Sequence, residues 1–413
     1  MTMRGHIEAD GGRPPETAVR PESAVDRAEN VLGELVGDFG PNRVKLAGEW
    51  SPDTAMLCVK AYREQTRGFE LCFHYRGKLW TANGDADPEC RQAPLELVLG
   101  RLRGDASDET WEELFHTLKE WCGYQRALNG WLEDLLKNEN AKLIVFDVTG
   151  FEFPWELFHH WPTDGRPGPA GWIGTMIPVT RWTSVPYRRE KWEFAGVPWQ
   201  AEGGLLMMED AGLRLNGTGD AYGKYEVADR EPTLVGLIRR LEMDDGPHFA
   251  LLVIRCHGER TKYNRLMLNG VLLERLVENE LRVLRRNSAV VLLNACGSGR
   301  PAEGEGGFWP PTRSFVEKFL SQGASGVIAT TGEIGRDYSH VFGSDFVEKA
   351  GKDVLNPAEY LRDHRRAIAQ HIGRPPGESG GPDAADYRTF FWSFMYVYFG
   401  HPDTTLHLSP KDA

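Results

Sequence analysis

Five apolar runs punctuate the chain after residue 141, and they constrain its fold more than any other feature. They occupy 142–147, 204–208, 249–256, 289–295 and 326–330. Each is short and apolar at consecutive positions, as a strand covered on both faces must be. Amphipathic stretches alternate with them. Residues 271–286 place Leu272, Leu276, Leu281 and Leu284 on one side of a helix. Residues 312–322 do the same with Phe315, Val316, Phe319 and Leu320, and Gly323 is a natural C-terminal stop. A further helix opens at Pro357, a good first-turn residue, and carries Tyr360, Leu361 and Ile368. Strands alternating with helices predict an α/β domain: a mostly parallel sheet flanked by helices.

The chain upstream reads differently. Residues 1–25 are rich in Gly, Pro, Glu and Arg and poor in apolar residues, a flexible leader. Residues 26–138 read as a smaller α+β region. Strands are expected at 54–62 and 69–75, the second with Phe69, Leu71, Phe73 and Tyr75 on one face. Arg76-Gly77 turns the chain into Lys78-Leu-Trp80, a hairpin. A long helix capped by Ser107 or Asp108 follows, with Trp111, Leu114, Phe115, Leu118 and Trp121 at helical spacing, resuming at Leu128, Trp131 and Leu135. This stripe is core packing rather than a ligand cage. The α/β domain then takes 139–413.

Composition narrows the partners. The 413 residues carry a formal net charge of -12, which argues against nucleic acid or an anionic membrane as partner. No run of about 18 apolar residues exists, so no membrane span is expected. The N-terminus lacks the apolar core of a secretory signal. Cys58, Cys72, Cys90, Cys122, Cys256 and Cys296 are scattered, with no CxxC pair. Reduced thiols in a cytoplasmic protein are expected, with no metal site. Gly304-Glu-Gly-Gly307 is not a phosphate loop, and no cofactor is expected.

Two strand ends carry chemistry. The third run ends in Cys256-His257-Gly258-Glu259 and the fourth in Ala295-Cys296-Gly297-Ser298-Gly299. One helical stretch separates them, so they form a right-handed βαβ unit. As neighbours their axes lie about 4.8 Å apart, with His257 and Cys296 side by side at the carboxyl edge, where open α/β sheets place their sites. An imidazole there can generate the thiolate and later protonate a leaving amine. Gly258 and Gly297 allow close backbone approach to a substrate carbonyl, and backbone N–H groups can serve as an oxyanion hole. The plain alternative is a core cysteine beside a loop histidine. Cys256 points to the opposite face of its strand and reads as core.

Three motifs together resemble the CHAT family of caspase-like peptidases: Cys256-His-Gly-Glu259, Leu292-Leu-Asn-Ala-Cys-Gly-Ser298 and Phe319-Leu-Ser-Gln-Gly-Ala-Ser-Gly-Val-Ile-Ala-Thr330. Phe153-Pro-Trp-Glu-Leu-Phe158, the stretch ending at Trp182, and Phe391-Trp-Ser-Phe-Met-Tyr-Val-Tyr-Phe-Gly-His-Pro402 are similar to further segments of that family. The likeness covers 141–402. It implies a caspase-like fold and peptide-bond hydrolysis through a Cys/His dyad. Cys296 is then the nucleophile, His257 the base and Gly258 the oxyanion position. Ser298 stands where related caspases have a second glycine.

The resemblance also directs attention to the substrate side. The position two before the nucleophile lines the S1 pocket in caspase relatives, and here it is Asn294, which is neutral. Glu209 and Asp210 end the second run of the α/β domain at the same crevice. They either select a basic side chain through charge or are a solvated strand end. Residues 297–311 form a Gly/Pro-rich loop, either an active-site loop open to processing at Arg300 or a solvated linker. Asp337 is expected to cap a helix from Tyr338, and Arg362, Arg365 and Arg366 to form a solvated helix face. The resemblance implies a protein or peptide substrate and a place in a bacterial multi-component system such as a defence system, with a regulatory protein partner, and 26–138 would then be a sensor or a partner-docking region. The competing reading is a catalytically idle CHAT scaffold that only binds a partner. An α/β-hydrolase esterase is excluded because Cys296 lacks the G-x-nucleophile-x-G elbow.

Overall fold

In the computed structural model the described residues are 51–61, 69–82, 108–147, 153–163, 168–183, 198–214, 220–261, 265–301, 314–372 and 382–411. The leader, Cys90 and residues 302–311 of the Gly/Pro-rich loop lie outside them. The strands in chain order are β1 (Thr54–Ala61), β2 (Phe69–Tyr75), β3 (Lys78–Ala82), β4 (Lys142–Asp147), β5 (His159–His160), β6 (Gly171–Trp172), β7 (Val179–Trp182) and β8 (Gln200–Glu209). Then come β9 (Phe249–Arg255), β10 (Gly258–Arg260), β11 (Leu266–Leu268), β12 (Val271–Leu272), β13 (Val290–Asn294), β14 (Gly326–Thr330), β15 (Tyr396–Gly400) and β16 (Thr405–Leu408).

The fold is mixed α/β, with a large, mostly parallel central sheet flanked by helices. Its eleven strands run in the order β16-β8-β9-β13-β14-β15-β7-β4-β1-β2-β3. Only the β14–β15, β1–β2 and β2–β3 pairings are antiparallel. All five apolar runs are strands of this sheet, and β9, β13 and β14 are buried along their whole length. Arg76-Gly77 makes the expected hairpin turn, with φ of 50° and 70°.

Helices Leu234–Glu242, Leu273–Val277, Arg282–Asn287 and Phe315–Ser321 cover one face of the β8–β14 half. Helices Arg336–Ala350 and Pro357–Ile372 contribute to the opposite cover. Each face is apolar because alternate residues of fully buried strands point to it. Around β1, β2 and β4 a third core is dominated by aromatic rings, from Trp111, Trp121 and Trp131 to Phe390, Phe391 and Phe394.

Several expectations need adjustment. The boundary at 138/139 does not separate two cores: β1 pairs in parallel with β4 from Thr54↔Lys142 to Val59↔Asp147. The 26–138 region thus extends the same sheet, and its helices Asp108–Tyr124 and Arg126–Leu135 pack on residues from 141 onward. Residues 271–286 form β12 and two short helices rather than one long one. The break at 278–281 is held open by Lys318, whose Nζ donates to Val277 O and Asn279 O, and by Gln322, whose Oε1 accepts the Leu281 N–H. Asp337 does not cap: Gly335 precedes the first turn and no side chain satisfies it. Arg365 is not solvated but fully buried. No helix among the described residues is long and apolar enough to cross a membrane.

Candidate active site

Parallel pairing brings the two reactive strand ends into register. Asn294 pairs with Arg255, so Cys296 and His257 each lie two residues beyond a matched pair. Both sit past the carboxyl ends of adjacent strands, β13 and β9. His257 is exposed and Cys296 half-buried. Among the described residues, no hydrogen bond joins the imidazole to the sulfur.

The turn that carries Cys296 is fixed from several sides. Gly297 adopts φ +62°, a conformation that favours glycine, and its N–H donates to Gly332 O at 3.0 Å. Ser298 is buried. Its hydroxyl donates to Leu293 O (3.1 Å) and accepts from the Thr330 N–H (3.2 Å), joining β13 to β14. The serine that replaces a glycine is thus a structural tie.

Gly258 meets the Cys296 backbone directly. A Cβ added to it would run into the Cys296 carbonyl, so only glycine lets β10 pass there. The ladder between β10 and β11 also leaves its N–H unused. The Asn269 N–H donates to His257 O (2.9 Å) and the Thr261 N–H to Arg265 O (3.0 Å). Those bonds flank the Gly258↔Leu268 and Arg260↔Leu266 pairs, which are therefore the non-hydrogen-bonded kind. The Gly258 N–H points away from β11 and has no partner among the described residues.

The sulfur is engaged on its other side. The Ile334 N–H donates to Cys296 Sγ at 3.5 Å. Burial pushes the Cys296 thiol up from its ordinary range; the Ile334 amide works against that rise and the Glu333 carboxylate adds to it. Cys256 is core as expected, buried, with its thiol pushed up to about 12 by burial. A groove of about 830 Å³ opens at Cys296, lined among others by Gly258, Glu259, Arg300, Phe315 and Glu333. Glu333 and Ile334 carried no motif in the sequence. Their only signal was position, directly after β14, beside β13.

The residues expected on the substrate side are placed otherwise. Asn294 is buried and does not line the groove. Its Oδ1 accepts from Tyr396 Oη (2.7 Å) and its Nδ2 donates to Ser339 O (2.8 Å), so the side chain is turned into the cover of the sheet. Glu209 is buried as well. Arg255 Nη1 donates to its Oε1 at 2.7 Å, while Arg230 Nη1 (3.0 Å) and Arg214 Nε (3.2 Å) donate to its Oε2. Three guanidinium groups already neutralise it, leaving little charge for a basic substrate side chain. Asp210 accepts from Gly212 N and Asn269 Nδ2, both at 2.8 Å, which ties it to the loop after β11. Among the described residues, no group of three or more His, Cys, Asp or Glu could hold a metal ion.

No family model matches the chain, and no curated protein matches it. Among solved structures it is similar to the Arg-specific cysteine proteinase gingipain R, at 10% identity over 68% of this chain and 68% of that one, with a TM-score of 0.41. It is also similar to the Saccharomyces cerevisiae separase–securin complex, at 9% identity and a TM-score of 0.38. That match takes in 94% of this chain and 31% of the other, so this chain spans about a third of its length. The CHAT resemblance rests on its motifs alone.

Proposed function

We propose that this chain is a caspase-like cysteine endopeptidase. One observation carries the reading: Cys296 and His257 stand in register past adjacent strand ends, with Gly258, whose N–H has no partner among the described residues, packed against the Cys296 carbonyl. In the proposed reaction His257 takes the thiol proton and Cys296 Sγ attacks the scissile carbonyl carbon. The new S–C bond leaves an oxyanion toward which the Gly258 N–H is available. His257 returns the proton to the amine nitrogen as the C–N bond breaks. Water, deprotonated by His257, then attacks the thioester and frees the carboxylic acid and the thiol. The groove of about 830 Å³ has room for a peptide segment. Of Glu209 and Asp210, Asp210 is the one left as a candidate on the substrate side, beside Glu259 and Glu333, which line the groove. Asp210→Ala should alter the P1 preference, and an unchanged cleavage profile would remove it.

Burial raises the Cys296 thiol above its ordinary range, which supports a peptidase that needs substrate or a partner to become reactive. The CHAT resemblance supports the same view, with a protein substrate and a regulatory partner in a bacterial multi-component system such as defence.

The raised thiol and the absence of a Cys–His hydrogen bond favour one other reading, an idle scaffold that only binds a partner. A peptide acyloxymethyl ketone decides between them. The peptidase predicts covalent labelling of Cys296 that is lost in His257→Ala. No labelling across a panel of P1 residues and candidate partners would establish the scaffold instead.

A further inference from the structure

Tyr396 opens β15 in the middle of the sheet and is fully buried. Its position is fixed twice over. Its carbonyl accepts from Arg365 Nη2 at 2.5 Å, and its ring stacks on Phe342 with centroids 3.6 Å apart and planes 12° from parallel. Its hydroxyl donates to Asn294 Oδ1. That donation orients the carboxamide, because the oxygen must face Tyr396 and the nitrogen must then face away. The nitrogen meets Ser339 O, a carbonyl in the first turn of the Arg336–Ala350 helix. Ser339 N in turn donates to Gly335 O at 2.9 Å. The residue before Gly335 is Ile334, whose amide donates to the Cys296 sulfur. The helix can approach this closely because Gly343 faces Asn294 Nδ2 and Tyr222 Oη, where a Cβ would sit 3.2 Å and 2.5 Å away.

We propose that Tyr396 is a positioning residue for the Cys296 thiol: through Asn294 it holds the first turn of the Arg336–Ala350 helix, and so keeps the Ile334 amide against the sulfur. An N–H donor to sulfur favours the thiolate over the thiol, and the thiol's own donation to Ile334 O is the longer contact, at 3.9 Å, so the amide's effect is the larger. Loss of the Tyr396 hydroxyl frees the carboxamide to rotate, loosens the turn and withdraws the donor. The other charged and titratable groups around the sulfur are the Glu333 carboxylate, the Cys256 thiol and Tyr396 itself, the His257 imidazole past the end of the neighbouring strand, and Glu259, Arg260 and Arg300 along the same groove. Burial keeps the Tyr396 hydroxyl neutral well beyond its ordinary range, so its removal changes no charge.

The test is the rate of Cys296 alkylation by iodoacetamide in the full chain between pH 6 and 10, read on the Cys296 peptide by mass spectrometry. Tyr396→Phe should move the profile upward by about half a pH unit to one unit, the size expected from losing one hydrogen bond to the charged form. Tyr398→Phe is the matched control. It also removes a buried hydroxyl from β15, but one that donates to His401 O at 3.3 Å, away from the sulfur. Its profile should match wild type. Asn294→Ala should reproduce the Tyr396→Phe shift, and the double variant should add nothing further. An unshifted Tyr396→Phe profile, an equal shift in Tyr398→Phe, or additive shifts in the double variant would each overturn the proposal. If Tyr396→Phe does not fold, Asn294→Ala against Tyr398→Phe decides by the same criterion. Alkylation needs no peptide hydrolysis, so this result stands or falls separately from the peptidase reading.

Discussion

The sheet has two halves that share strands and differ in almost everything else. From β16 to β14 the strands are parallel neighbours, their carboxyl ends lead to Cys296 and His257, and polar contacts gather there. From β7 to β3, among the described residues, no cysteine and histidine stand together past neighbouring strand ends. That half is built on stacked and edge-on aromatic rings, with Phe390 touching Phe115, Trp172, Phe391 and Phe394 at centroid distances of 4.8–5.4 Å. The difference teaches a separation of labour: one half gathers polar contacts at its strand ends, where the proposed site lies, and the other devotes its faces to packing. Mutations should therefore divide cleanly between activity and stability.

The sharpest break is at the nucleophile. Cys296→Ala should lower peptidase activity by at least about a thousandfold while the unfolding midpoint in denaturant stays close to wild type; retained hydrolysis would place the chemistry elsewhere. Next comes the opposite behaviour. Phe390→Ala should cost about 3–5 kcal/mol of stability, measured by urea unfolding, yet leave the alkylation rate of Cys296 in the folded fraction unchanged. A slowed rate would mean that the halves are coupled. Gly258→Ala should sit between the two. Its Cβ has no room beside the Cys296 carbonyl, so activity should fall by about a hundredfold, with a smaller loss of stability than Phe390→Ala.

The smallest effect is a pH dependence confined to the aromatic half. His159 packs its ring against Trp161 and Trp172, and its Nδ1 has no partner among the described residues. Burial, helped by the Lys119 charge, pulls it down from 6.5 to about 3. Because the unfolded chain binds the proton more readily, the stability it contributes is whole above about pH 6.5 and erodes as pH falls toward 3. Lowering the pH from 7 to 5 should cost about 2 kcal/mol from this group. His159→Phe should flatten that slope in urea titrations at the two pH values; an unaltered slope would assign the acid sensitivity to other groups, such as His160, which burial also pulls down.

The sequence made the two halves unequally legible. The five apolar runs declared themselves because continuous burial leaves no polar position to interrupt the pattern, and His257 and Cys296 followed from where those runs stop. The aromatic stripe from Trp111 to Leu135 was equally plain, but its destination was not. The change of rhythm near 141 suggested a boundary, whereas β1 in fact pairs with β4, and pairing across that interval leaves no local trace. Asn294 and Glu209 were found at the right strand ends, yet their partners come from afar: Tyr396 is 102 residues from Asn294, and Arg255 is 46 from Glu209. Alternation fixes which face a strand residue takes; it does not reveal what waits on that face. The short strands β10 to β12 escaped notice because two or three residues cannot establish a period.

β15 is the one strand that stands between the halves, paired with β14 on one side and β7 on the other. Among the strands described, only β16 comes later in the chain. During synthesis, then, every described strand of the sheet except β16 emerges from the ribosome before the piece that closes its middle. A nascent chain arrested before residue 396 should hold two unjoined sheets and a Cys296 that alkylates like an unstructured thiol. Cys296 would gain its ordered surroundings only when residues 396–400 join the sheet, about 100 residues after the cysteine itself has emerged.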